Sequence, residues 1–168
     1  MLNPITILKI NDNDVEAKAT FFFDKTAKKF AEEKEDANGK MVKTPGFNVI
    51  YNGILERDTD AIASFWECAT AYLGKNAPTR DDIEVALYKV IEEKNDTLEL
   101  LQGALEVLNN SGFFKQKSRL FWSQMNEAPK LAKEDEKEST KAGIEFMKEN
   151  YKEIMNAEPY STTPKSDN

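Results

Sequence analysis

The chain has 168 residues, 40% apolar and 32% charged, with 23 basic against 30 acidic side chains, a net charge of −7 and no histidine. The acidity disfavours broad contact with a nucleic-acid backbone. The missing histidine removes the commonest general base, the Ser-His and Cys-His pairings and most transition-metal sites. No run of about eighteen apolar residues is present to cross a membrane, and MLNPITILKIND lacks the basic and apolar regions of a signal peptide. The single cysteine, Cys68, has no partner for an internal disulfide and reads as a small apolar group, which suits a cytosolic protein. The length suits one domain with a real core plus tails.

Ile5 to Ile10 is β-branched and strand-like, Asn11-Asp12-Asn13-Asp14 is turn chemistry, and Val15 to Thr20 alternates apolar with polar. Together they predict a small β-hairpin. A calcium loop at NDND is rejected, because no Gly and no terminal Glu follow at the required spacing. Phe23, Ala27, Phe30 and Ala31 share a helical face, which predicts a helix from about Phe22 to Lys34. Phe21, Phe22 and Phe23 cannot all point one way, so at least one is expected to be exposed or to cover a neighbouring element, as part of a contact surface. Glu35 to Thr44 reads as a polar loop with an Asn-Gly turn. Thr44-Pro45 marks a helix start, followed by one face of Phe47, Ile50, Tyr51, Ile54 and Leu55. Gly53 weakens that helix by up to about 1 kcal/mol and suits a close backbone approach.

The strongest segment is Asp58 to Leu73, with Ile62, Phe65, Trp66, Ala69, Tyr72 and Leu73 at helical steps, Asp58 or Thr59 as cap and Gly74 as stop. It reads as the central helix of the core. Thr79 followed by acids starts the next helix, with Ile83, Ala86, Leu87, Val90 and Ile91 as its stripe. Leu98, Leu101, Ala104, Leu105 and Leu108 form another stripe, ended by Asn109-Asn110-Ser111-Gly112. Phe113 to about Gln124 continues as a short helix. Pro129 marks a boundary, Lys130 to Ser139 is almost all charged, and Ile144, Met147, Tyr151, Ile154 and Met155 restore a narrow amphipathic stripe. That last helix is either peripheral or a docking helix for another chain.

The fold class is therefore mainly α: a bundle of about six helices with a small N-terminal β-hairpin and a C-terminal amphipathic helix. The expected organisation is a helical domain over 1–127, a charged segment with the amphipathic helix over 128–157 and a disordered tail over 158–168. No phosphate-binding loop, dinucleotide fingerprint, zinc spacing or nucleophile elbow is present.

The hairpin, the Phe-rich helix, the block GFNVIYNGILERDTDAIASFWECATAYLGKNAPTRDDIEVALYKVIEE and the block TLELLQGALEVLNNSGFFKQKSRLF together resemble the tail assembly chaperones of long-tailed phages (siphophages) that infect Gram-positive bacteria, such as lactococcal phages. The resemblance runs from about Ile5 to Phe121. It implies a mostly α-helical, non-enzymatic protein of the host cytoplasm, with no cofactor and no metal. It implies binding to the long apolar tape measure protein before the tail tube forms around it, self-association, a longer frameshifted form, contact with the tail tube protein and absence from the finished virion. Nucleic acid and membrane are not expected partners. Surplus aromatics Phe22, Phe113, Phe114 and Trp122, with the edge formed by Ile144, Met147 and Tyr151, are the candidates for contact with the client or another copy. The alternatives are a small acidic α-helical phage regulatory or nucleic-acid-associated protein, or an enzyme with an unrecognised carboxylate site.

Overall fold

The computed structural model describes residues 2–36 and 38–159. The tail expected over 158–168 lies outside the described residues from position 160 onward. Strands β1 (Ile7–Ile10) and β2 (Asn13–Glu16) pair antiparallel, with Ile7 opposite Glu16 and Ile10 opposite Asn13. Asn11 and Asp12 have φ of 49° and 65°, the double left-handed geometry that a two-residue hairpin loop demands and that Asn and Asp tolerate. The turn is thus two residues rather than four, and Asn13-Asp14 belong to the strand. Leu8 and Ile10 point into the core and Ile7 out of it, the period of a half-buried strand.

Helix α1 (Phe21–Ala27) continues as a 3-10 turn, Lys28–Phe30, and stops at Ala31, whose backbone is extended. The helix expected to reach Lys34 therefore ends four residues early. In its place stands a second hairpin, β3 (Glu32–Glu35) and β4 (Met41–Thr44), over a stretch expected to be helix end and loop. The reason lies in the side chains. Glu32-Glu33-Lys34-Glu35 has no apolar group to seat a helical face, so the cross-strand backbone bonds win. Asp36 Oδ1 accepts from the amides of Asn38 and Lys40 at 2.9 Å and closes the turn, with Gly39 at φ 76°.

Helix α2 (Gly46–Leu55) buries Phe47, Ile50, Tyr51, Ile54 and Leu55, the expected face, and takes Pro45 as its cap residue. Helix α3 (Thr59–Ala69) is the centre. Asp58 Oδ1 accepts from Asp60 N at 2.9 Å, the predicted cap. Every residue from Ala61 to Trp66 is buried, as are Cys68 and Ala69, so the helix is enclosed on most sides rather than along one stripe. It ends before Tyr72 and Leu73. The Thr70 hydroxyl donates to Trp66 O at 2.7 Å, and the chain tightens into a 3-10 segment, Ala71–Asn76. Within it Gly74 sits at φ 58°, ψ −120°, open to glycine alone. Gly53 lets α2 approach α3: a Cβ there would lie 2.4 Å from Ala61 Cβ.

Helix α4 (Arg80–Lys94) starts on the expected capping box, in which Thr79 and Asp82 exchange bonds. The Thr79 amide, helped by the Asn11 side chain, holds the Asp82 carboxyl below its ordinary range. Helix α5 (Leu98–Asn110) buries Leu100, Leu101, Ala104, Leu105 and Leu108. The N-terminal segment lies against it, with Ile5 N donating to Glu99 O at 2.9 Å, and a Cβ on Gly103 would stand 1.8 Å from Ile5 O. Gly103→Ala is expected to cost about 1–3 kcal/mol or more through overpacking against backbone. A fall in the urea midpoint at unchanged slope measures it.

Helix α6 (Lys115–Leu131) runs past both the expected end at Gln124 and Pro129. Proline removes one bond near the helix end, and packing of α7 (Lys137–Met155) along α6 sustains the last turns. The boundary expected at 127/128 falls inside α6, and Tyr151, Ile154 and Met155 share one core with Phe65, Trp66 and Leu105. The core is mostly apolar but carries one polar chain. Trp122 Nε1 donates to the Tyr51 hydroxyl at 2.9 Å, that hydroxyl donates to Asn109 Oδ1 at 2.7 Å, and Asn109 Nδ2 donates to the Tyr151 hydroxyl at 3.0 Å. All four residues are buried. Such a satisfied chain fixes register, and half of it left alone costs more than none.

Burial, with the nearby Glu67 charge in second place, pushes the Cys68 thiol up to about 12. The thiolate is the reactive form. The folded protein is therefore expected to resist iodoacetamide at pH 8 and to label at Cys68 only after denaturation, read by intact mass. Rapid labelling of the native chain would contradict this burial.

Candidate functional site

Successive residues on a helix diverge by roughly 100°, and the three phenylalanines at the start of α1 separate accordingly. Phe23 is fully buried, while Phe21 is 73% and Phe22 51% exposed. The α5–α6 turn brings a third ring beside them: Phe113 meets Phe21 edge to face, centroids 5.0 Å apart. Phe21 and Phe113 thus form an aromatic ledge, with the exposed Phe22 next to Phe21 in the chain. Next to it runs a shallow groove of about 370 Å³, with Ala27, Pro45 and Phe47 on its apolar side and Lys25, Lys28 and Lys117 on its rim. Lys117 Nζ bonds Asp24 Oδ1 at 2.7 Å and stands over the rings of Phe47 and Phe114. Lys25 stands 5.8 Å from the Phe22 centroid. The rim is basic although the chain as a whole is acidic.

The other candidates separate into core and surface. Phe114 is fully buried, packed on Phe23 and Phe47 at centroid distances of 4.9 Å. Trp122 is 1% exposed, and its ring packs on Tyr51, Phe121 and Tyr151. Neither offers a surface in the folded chain, which corrects their reading as surplus aromatics. On α7, Ile144 and Tyr151 turn inward, Met147 is half-buried and Phe146 is 66% exposed.

Phe21 was expected only as one of three rings that could not all be core, and a second apolar face was not expected. On α4, Val85 and Tyr88 are 58% and 63% exposed, outside the buried stripe. Tyr88 borders a groove of about 340 Å³ between α3 and α4, with Ile62, Ala63, Leu87 and Ile91 on its walls. Arg80 ties its end, bonding Asp60 Oδ1 at 2.7 Å, Glu84 at 3.0 Å and Glu67 at 3.1 Å. The legible signal was an apolar pair three residues apart and off the stripe. Among the described residues no group of three or more Cys, Asp or Glu is placed to hold a metal ion, and no helix is long and apolar enough to cross a membrane. The two surfaces offer aromatic and aliphatic contact with charged rims.

A family model described as phage tail assembly chaperone protein, TAC, matches residues 7–121, more than half of the chain. No curated protein and no solved structure matches it. The matched span contains the aromatic ledge and the exposed face of α4, and it stops within α6, before α7 begins.

Proposed function

Because the chain belongs to the phage tail assembly chaperone family, we propose that it binds the long apolar tape measure protein in the host cytoplasm, keeps it soluble and supports assembly of the tail tube around it. The observation that carries this reading is the ledge of Phe21 and Phe113, with the exposed Phe22 next in the chain and a groove with a basic rim alongside. A client helix laid on the ledge buries its apolar stripe there, in the helix-in-groove mode. Each copy covers a short stretch, and many copies along one client raise the total hold although each contact is weak. Weak contacts also suit release of the client to the tube protein. The chain acts as a homo-oligomer, a longer frameshifted form shares the task, and neither stays in the mature virion.

Co-expression with a tape measure protein tests this. The client is expected to move into the soluble fraction and to co-purify with the chain. A client equally insoluble with and without it, with no complex recovered, overturns the reading. Light scattering behind a sizing column tests self-association, and a strict monomer across the micromolar range overturns that part.

A further inference from the structure

The family match ends inside α6, yet α7, wholly beyond it, completes the core. It lies in a groove walled by α2, α5 and α6. The floor is Tyr51, Trp122, Asn109 and Gln102, all buried beneath it. The grip on α7 is uneven. From Asn150 onward it is dense: the Tyr151 hydroxyl accepts from Asn109, its ring stands edge-on to Trp122 at 5.7 Å, and Gln102 Nε2 donates to Ile154 O at 3.1 Å. Arg57 donates to Asn150 Oδ1 at 3.0 Å and to Glu153 at 2.6 Å from the rim. Between Lys137 and Glu149 only Ile144 is buried, and the segment leading in from Leu131 is charged and largely exposed. One end of the helix is seated and the other is held by little.

We propose that α7 is a built-in occupant of a helix-binding groove, and that an amphipathic helix of the client with the same apolar spacing takes its place when α7 swings out. This rests on the client reading above. The partner chemistry is read from the occupant: aliphatic groups where Ile144 and Ile154 sit, an aromatic hydroxyl where Tyr151 meets Asn109, and a carboxylate for Arg57. A tethered occupant competes at a high effective concentration. It keeps the groove covered when no client is present and returns when the client leaves, which assists release.

The test uses the full chain and a synthetic peptide of residues 137–157, read by amide hydrogen exchange with mass spectrometry. In the free chain, α7 amides are expected to exchange faster than those of α3, since α7 opens without global unfolding. Saturating peptide is expected to speed exchange of 144–155 further. A peptide carrying Tyr151→Ala and Ile154→Ala is expected to do nothing. Glu153→Ala in the full chain removes an exposed ion pair and is expected to tighten peptide binding roughly two- to fivefold. Absence of peptide binding, or α7 exchange as slow as that of α3, overturns the proposal. Rescue of the client with α7 still protected also overturns it and leaves the chaperone reading standing. Displacement by the peptide without client rescue upholds the groove and removes the chaperone reading.

Discussion

Phe114→Asp is expected to leave the chain unfolded. The ring is fully buried between Phe23, Phe47 and Phe113, and Lys117 above it is already paired with Asp24. Truncating a buried phenylalanine costs about 3–5 kcal/mol. A carboxylate in the vacated space adds the cost of desolvating a charge. Domains of this kind have roughly 5–15 kcal/mol in total. Circular dichroism is expected to show lost helix, or a transition at much lower urea. Retained helix and an unchanged midpoint would mean the ring is not core. Phe113→Asp, at a half-buried position, is expected to be far milder, so the two neighbouring rings separate in one experiment.

Phe21→Asp together with Phe22→Asp is expected to do the reverse: the fold persists and the client is lost. Both positions are exposed, and both lie in the first turn of α1 after Thr20. Acids there favour the helix dipole by about 0.3–1 kcal/mol. The main loss is the Phe21–Phe113 ring pair, worth about 0.5–1.5 kcal/mol. Buried aromatic anchors in interfaces commonly carry about 2 kcal/mol or more each, so the double change is expected to reduce client capture by a factor of roughly 100 or more. Helix content by circular dichroism and client recovery in co-expression are measured on the same preparation. Undiminished capture would remove the ledge from the contact surface.

The helices that carry the core were legible because their chemistry is local. The face of α2, that of α5 apart from the exposed Leu98, the Asp58 cap, the Thr79–Asp82 box and the close approach at Gly53 depend on residues a few positions apart. The resemblance to the family was legible for the same reason, as an order of capped stripes. Other features depend on partners far along the chain. The helix expected through Lys34 gave way to a hairpin because Glu32 to Glu35, with no apolar group of their own to bury, pair with Met41 to Thr44 further along the chain. The helix α6 outran Pro129 because α7 packs along it. Phe113 and Phe114 look alike in sequence, and only the placement of Phe23 and Phe47 buries one and leaves the other at the surface. The sequence by itself determined where α2, α3, α4 and α5 lie and most of their apolar positions, since these follow from periodicity and caps, but not where α1, α3 and α6 end. Tertiary structure alone decided which apolar groups remain in water, because burial depends on what the rest of the chain brings to each face.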